Sequence, residues 1–155
     1  MTAAGLPTSW VSISDMDREK IRRVDEAQAR SFEVHLGMRR RSLNKGNCSY
    51  EVTVEERHLN GGGIAHGGFL FTLADNAAGL TAAYSERGLR DLVTQTATVH
   101  YIRAAQPGEH LVAEGRLVHG GRSTALVNVE IRNDAGKLLL QGEFSMFYLD
   151  PPEDE

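Results

Sequence analysis

The spacing of apolar and polar residues changes several times along this chain. In residues 15–32 the apolar side chains fall loosely on one face of a helix, and Ser14 ahead of them is a favourable N-cap. From Met38 the pattern alternates, and residues 38–44 and 48–55 predict two strands joined by a turn at 45–47. The arginines at 39–41 favour a sheet edge for the first strand.

A long apolar run follows a glycine-rich segment that ends at Gly68. The run predicts a helix that begins near His66 and ends near Tyr84–Ser85, with Gly88 beyond it as a stop signal. Its many alanines make this helix thin and nearly free of polar positions. Such a helix suits burial against a structure that wraps closely around it.

The remaining sequence alternates again and is divided by turn signals. Four strands are predicted, at 92–104, 109–119, 122–132 and 137–149. The whole order predicts an α+β domain in which one antiparallel sheet curves around one long apolar helix. Residues 1–34 form an N-terminal extension with a helix, residues 35–150 the main domain and residues 151–155 an acidic tail. Because long strands leave an unpaired sheet edge, strand addition between two copies is also expected.

Composition narrows the classes of function. The 155 residues carry 17 basic and 21 acidic side chains, so the net charge of −4 disfavours nucleic acid as a partner. No apolar run is long enough to span a membrane, and the N-terminus lacks a secretory signal pattern. Cys48 is the single cysteine, which excludes an intrachain disulfide and favours the cytoplasm. The spacing of His, Cys, Asp and Glu fits no zinc site.

Asp75 is the chemical anomaly, because a carboxylate inside an apolar helix costs stability unless it is paired or used. At the start of the same helix, the N–H of Gly67 or Gly68 could stabilise a developing oxyanion. Asp75 lies nine residues beyond His66, or roughly 13 Å along a helix, so it cannot reach that helix start in its own chain. If both groups act on one substrate, they come from two subunits.

Each of these residues also has a purely structural interpretation. The glycines are equally consistent with turns, and His66 is as consistent with a helix cap as with chemistry. Asp75 can be a hydrogen-bonded or solvent-facing carboxylate. The glycine spacing matches neither the Walker motif nor the dinucleotide fingerprint, so a phosphate cradle of either kind is not predicted.

The combination of motifs resembles the hotdog-fold acyl-CoA thioesterases. It is closest to the branch of the phenylacetate-pathway thioesterase and the THEM-type enzymes, and it extends from about His35 to Tyr148. The motifs are His58-x-Asn60, Gly63-x-x-His66-Gly67-Gly68, Leu70-x-x-x-Ala74-Asp75, Val93-Thr94-Gln95, Tyr101-x-Arg103, Gly121-Arg122 and Asn133-x-x-Gly136-Lys137.

The resemblance implies dimers, usually paired into tetramers, that hydrolyse aromatic or medium-chain acyl-CoA thioesters at sites between subunits. In that mechanism the Gly67 N–H polarises the thioester carbonyl, and Asp75 of the partner subunit is the general base or the nucleophile. Asn60 orients water or substrate, His66 holds the loop and assists near the leaving sulfur, and Thr94 positions the water or the carboxylate. No cofactor is implied, because coenzyme A enters as part of the substrate.

Substrate-binding residues are expected in two groups. Gly68 is expected to contact the substrate at the helix start. Phe69, Leu70, Leu73 and Asn76 are candidates for the acyl pocket, although core packing better explains Leu70 and Leu73. Arg122, beside Gly121 and Ser123, is the first candidate for the coenzyme A phosphates, with Arg103 second. A solvated surface arginine is the alternative for both.

Two other functions remain open on the same fold. One is an acyl-CoA hydratase or dehydratase, although the usual spacing of its catalytic His and acid is not found. The other is a non-catalytic acyl-CoA sensor, which the acidic balance and the lack of a helix-turn-helix pattern disfavour.

Overall fold

The structure is a computed structural model that describes residues 15–149, apart from the side chains of residues 15–17, 24 and 28. The predicted N-cap Ser14 and the predicted acidic tail lie outside the described residues. The helices are α1 (Asp15–Gln28), α2 (Phe32–His35) and α3 (Gly67–Ala83). The strands are β1 (Arg39–Asn44), β2 (Asn47–Thr53), β3 (Tyr84–Ser85), β4 (Gly88–Leu89), β5 (Leu92–Tyr101), β6 (His110–Gly120), β7 (Thr124–Asn133) and β8 (Leu138–Tyr148).

Six strands form one antiparallel sheet in the order β1-β2-β6-β7-β8-β5. The predicted α+β architecture is confirmed, because α3 packs against this sheet and buries most of its apolar residues there. β1 lies at one edge, as its arginines predicted, and β5 lies at the other. The short β3 and β4 form a separate hairpin that the sequence pattern did not reveal, because two-residue strands show no alternation.

Gly115 on β6 lies in very close contact with α3. A Cβ at this position would lie 2.9 Å from the carbonyl oxygen of Ala77 and would also collide with the Thr81 side chain. The Thr81 hydroxyl accepts a hydrogen bond from the Cys48 N–H at 3.2 Å. The thin helix and this glycine together allow the sheet to wrap around α3 at short range.

The N-terminal helix is shorter than the sequence pattern predicted. It ends at Gln28 rather than at Phe32, and Phe32 begins the separate helix α2. Ser31 between them is extended, with φ −78° and ψ 162°, which is incompatible with one continuous helix. Gly37 ends the segment with φ +75°, where glycine has no steric penalty.

A bulge in β5 changes which side chains face α3. The register with β8 shifts between Thr94 and Thr96, so Gln95 is the extra residue. Side chains on a strand alternate between faces, and an extra residue reverses that alternation. Thr94 and Tyr101, seven residues apart, therefore both reach α3.

Candidate active site

His66 caps the N-terminus of α3. Its Nδ1 accepts a hydrogen bond from the Gly68 N–H at 2.8 Å, and its carbonyl oxygen accepts from the N–H groups of Phe69 and Leu70. Among the described residues, the Gly67 N–H has no backbone or side-chain acceptor. The first turn of α3 therefore presents one unpaired donor at the positive end of the helix dipole.

Asn60 organises the loop that precedes this helix. Its Oδ1 accepts hydrogen bonds from the N–H of Gly62 at 2.9 Å and of Ile64 at 3.4 Å. Its backbone N–H donates to the Ile64 carbonyl at 2.8 Å. Because the amide oxygen is already used by the loop, the side-chain NH₂ is the part of Asn60 left to interact with a ligand or water.

Tyr101 lies against Gly67 and was not among the predicted site residues. Its hydroxyl donates to the Gly67 carbonyl at 2.9 Å, and its ring would lie 3.5 Å from a Cβ at Gly67. Simple alternation along β5 would place Tyr101 and Thr94 on opposite faces of the strand. The bulge that brings them to one face is not visible in the sequence pattern. Tyr101 is 53% exposed beside the unpaired N–H.

Asp75 lies farther along the same helix and is held by Thr94. The Thr94 hydroxyl donates to Asp75 Oδ1 at 2.7 Å. Asp75 is partly buried, and the bond explains how the apolar helix tolerates a carboxylate. Asp75 lies eight residues beyond Gly67 in uninterrupted helix, an axial distance of about 12 Å. A single subunit therefore keeps these two groups apart.

A cavity of about 770 Å³ opens beside Asp75 and extends between α1, α3 and the start of β5. Asp75, Asn76 and Thr94, all predicted as site residues, line it together. The Asn76 amide also donates to the sulfur of Met38 at 3.5 Å. The other residues that line the cavity are Lys20, Ile21, Arg23, Glu33, Arg40, Leu43, Tyr50, Gly79, Leu80, Ala83, Leu89, Arg90, Asp91, Leu92 and Val93.

Three residues considered for the acyl pocket do not line this cavity. Phe69 stacks on His58 with the ring centroids 4.1 Å apart, and Phe69, Leu70 and Leu73 are all buried in the core. Burial lowers the pKa of His58, whose Nδ1 accepts a hydrogen bond from the Glu55 N–H. The neutral His58 ring is thus part of the packing that supports the helix start.

The turn with Gly121, Arg122 and Ser123 is held in place by Arg90. The Arg90 guanidinium donates to the carbonyl oxygens of Gly121 at 3.4 Å and Arg122 at 2.9 Å. It also lies 3.7 Å from the centroid of the Tyr148 ring. Arg90 was not predicted as a site residue, and a single arginine between turn signals offers no periodic pattern that would single it out. Because Arg90 also lines the cavity, it connects the cavity to this turn.

The side chains of Arg122 and Ser123 are exposed, and so is Arg103 in the segment after β5. Arg103 is anchored by its backbone N–H, which donates to the Leu139 carbonyl at 3.2 Å. Neither arginine forms a side-chain ion pair within the part of the chain that the structure describes. Both remain predictions as contacts for the coenzyme A phosphates.

Among the side chains that the structure describes within residues 15–149, no group of three or more His, Cys, Asp and Glu is arranged to hold a metal ion. In the same range, no helix has both the length and the apolar character needed to cross a membrane.

Comparison with known proteins identifies the family. The model of the thioesterase superfamily matches residues 62–140, which include α3 and most of the sheet. The chain belongs to the thioesterase superfamily. Human acyl-coenzyme A thioesterase 13 is 35% identical over 117 residues, which cover 74% of this chain and 83% of the human protein.

Solved structures show that the superfamily's hotdog fold is present. The Escherichia coli PaaI protein of the phenylacetic acid degradation operon matches with a TM-score of 0.80 and 25% identity, over 91% of this chain and 99% of PaaI. A Streptococcus mutans protein bound to acetyl CoA matches with a TM-score of 0.69 and 31% identity, over 75% of this chain and 91% of that protein. Helix α3 inside its curved antiparallel sheet is the shared architecture.

Proposed function

We propose that this protein hydrolyses acyl-CoA thioesters to a free acid and coenzyme A. The observation that carries the proposal is the carboxylate of Asp75, which Thr94 holds in the wall of a cavity of about 770 Å³. The name of the human relative and the acetyl CoA bound to the Streptococcus mutans protein support thioester chemistry at such a site.

The reaction needs a donor for the carbonyl oxygen and a group that delivers oxygen to the carbonyl carbon. The Gly67 N–H is the donor, because it is the N–H of the first helical turn left without an acceptor among the described residues. Asp75 either removes a proton from the attacking water or attacks the carbon itself and forms a mixed anhydride that water then cleaves. Either way the C–S bond breaks and coenzyme A leaves as a thiolate, which takes a proton from Asp75 in the first route and from solvent water in the second.

Both groups act on one thioester when two subunits build the site. The axial separation of about 12 Å between Gly67 and Asp75 within one helix requires Asp75 of the partner subunit. The NH₂ group of Asn60 then donates to the water or the substrate, and His66 keeps the helix start in place by accepting from Gly68.

The edge strand β5 supports a dimer formed by strand addition. It runs for ten residues without a charged side chain or proline, and its Val93 is 47% exposed. Apart from the bulge at Gln95, this edge therefore lacks the charged side chains and prolines that usually prevent pairing. The other edge strand, β1, carries three consecutive arginines. Two dimers assemble into the tetramer that the family resemblance implies.

Three finer points belong to the same proposal. The acyl group is aromatic or medium-chain, and a phenylacetyl-type thioester fits the likeness to PaaI. The reaction needs no cofactor besides water, because coenzyme A enters with the substrate. The compartment is the cytoplasm, where the single free thiol of Cys48 stays reduced.

The test is thiol release from a panel of aromatic and aliphatic acyl-CoAs. We expect turnover by the wild type and a fall in kcat of at least about 100-fold in Asp75→Asn, which keeps the shape of the side chain but removes its charge. Burial raises the pKa of Cys48 to about 12, so the protein's own thiol does not disturb the assay. Undiminished turnover by Asp75→Asn would overturn the mechanism. Binding without turnover by the wild type would instead indicate an acyl-CoA sensor.

A further inference from the structure

Gly79 occupies a position in the middle of α3 where glycine is unfavourable. Glycine in a helix interior costs about 1 kcal/mol relative to alanine. Its φ lies outside the left-handed region, so its backbone conformation does not require glycine. Some other property of this position must therefore account for it.

Close packing within the subunit does not explain Gly79. Among the described residues, a Cβ at this position would come no nearer to another atom than 3.9 Å, the distance to Leu92 Cδ1. Gly115 and Gly142 differ, since a Cβ at either would lie 2.9 Å from a neighbouring atom. Those two glycines allow close contacts between elements, whereas a Cβ at Gly79 would make only an ordinary van der Waals contact.

Gly79 borders the same cavity as Asp75. Gly79 lines it one helical turn, about 6 Å, beyond Asp75, and Ala83 lines it one turn farther. The cavity is also lined by the apolar Ile21, Leu43 and Leu89, which pack in one cluster. A larger side chain at position 79 would take up space in this cavity between Asp75 and Ala83.

We propose that Gly79 sets the depth of the acyl-binding cavity and thereby determines which acyl groups are accepted. This inference rests on the proposed thioesterase function. An acyl group whose carbonyl carbon lies at Asp75 extends along α3, passes Gly79 and reaches the apolar region bordered by Ile21. The preferred substrates are acyl groups that extend more than one helical turn, about 6 Å, beyond the thioester carbon.

The test compares wild type, Gly79→Ala and Gly79→Leu on a series of saturated acyl-CoAs from acetyl to palmitoyl. For Gly79→Leu we expect kcat/KM of the longer substrates to fall at least about 10-fold, while acetyl-CoA stays within about threefold of wild type. Acetyl-CoA is thus the internal control for an intact catalytic centre. The acyl-chain length with the highest kcat/KM should therefore become shorter in this variant.

Two further variants make the test independent of one substitution. Ala83→Leu fills the cavity one turn deeper, so it should spare substrates that Gly79→Leu excludes. Gly79→Ala should raise the midpoint of thermal unfolding. It should also shift the preferred acyl-chain length toward shorter groups, but by less than Gly79→Leu does. If Gly79→Leu does not fold, Gly79→Val takes its place in the series.

Two results would overturn the inference. One is an equal fall in kcat/KM for short and long acyl-CoAs in Gly79→Leu and Gly79→Val. The other is a folded variant whose kcat/KM depends on acyl-chain length as in the wild type. Failure of the proposed function is distinguishable, because it would appear as absent turnover of every thioester by the wild type.

Discussion

The Thr94 hydroxyl donates to the Asp75 carboxylate at 2.7 Å, across the contact between β5 and α3. The bond fixes one carboxylate oxygen and leaves the other, Oδ2, to act on water or substrate. It exists because the bulge at Gln95 lets Thr94 face the helix while Tyr101, at the other end of β5, faces it too. The strand thereby contacts both Asp75 and Gly67, which one subunit contributes to two different sites in the proposed dimer.

Removing the Thr94 hydroxyl should impair orientation of Asp75. We expect Thr94→Val to lower kcat about 10-fold, equivalent to roughly 1.4 kcal/mol, with KM for the acyl-CoA little changed. Thr94→Ser is the matched control, since it keeps the hydroxyl and should retain most of the activity. Equal losses in both variants would show that the hydroxyl is not the group that matters.

The Gly67 N–H can be deleted without disturbing the helix. Proline is tolerated at the first helical position, and His66 before it has φ −62° and ψ 137°, which a following proline accepts. We expect Gly67→Pro to lower kcat about 100-fold. Gly67→Ala keeps the N–H, and its Cβ would meet Tyr101 at an ordinary 3.5 Å, so it serves as the control. Full activity in Gly67→Pro would eliminate this N–H as the oxyanion donor.

A site built from two subunits can be reconstituted from two inactive variants. When Gly67→Pro and Asp75→Ala proteins exchange subunits, each mixed dimer contains one site with both native groups. Random exchange should restore about a quarter of wild-type activity, because half of the dimers are mixed and half of their sites are intact. Mass spectrometry of the exchanged dimers is the control. Exchange without recovered activity would contradict the shared site.

The close contact of β6 with α3 should make Gly115 intolerant of any side chain. We expect Gly115→Ala to lower the free energy of unfolding by about 1–3 kcal/mol, because its Cβ would lie 2.9 Å from the Ala77 carbonyl and collide with Thr81. Gly61→Ala is the control, since a Cβ there meets no described atom within 4 Å, and should change stability by less than about 0.5 kcal/mol. Urea denaturation of both variants measures the difference.

His110 should make stability depend on pH. Its hydrogen bond to Asp134, at 2.7 Å, raises the pKa of His110 above its usual 6.5, and Glu51 contributes as well. The folded state therefore binds the proton more tightly than the unfolded state. The resulting stability is fully present below pH 6.5 and is lost as the pH rises through the raised pKa.

Asp134→Asn tests this pH dependence. We expect the wild type to exceed the variant in free energy of unfolding by more at about pH 5.5 than at about pH 8.5. In a His110→Gln background the same substitution should show no such pH dependence. A constant difference across this range would show that the His110–Asp134 contact does not act through protonation.

The main elements of the fold follow from local sequence patterns. The apolar run after the glycine-rich segment specified α3 to within about one residue at its N-terminus, because glycine, His66 and alanine have clear local preferences there. The arginines at 39–41 placed β1 at an edge, as observed. Where local preference was weak, prediction failed: residues 29–31 did not continue the helix, and the two-residue strands β3 and β4 were missed.

The sequence by itself determined which chemical groups this protein has and on which helices and strands they lie. Helix and strand patterns depend on neighbours along the chain, so they can be read without the tertiary structure. It identified Asp75, Gly67 and Asn60 as candidate site residues. Helix geometry showed that Asp75 and Gly67 of one chain lie too far apart to act on one substrate. Tertiary structure decided what those groups contact. The Thr94–Asp75 bond, the Tyr101–Gly67 contact and the cavity at Gly79 each join elements distant in sequence, and a bulge or an open space leaves no periodic signal.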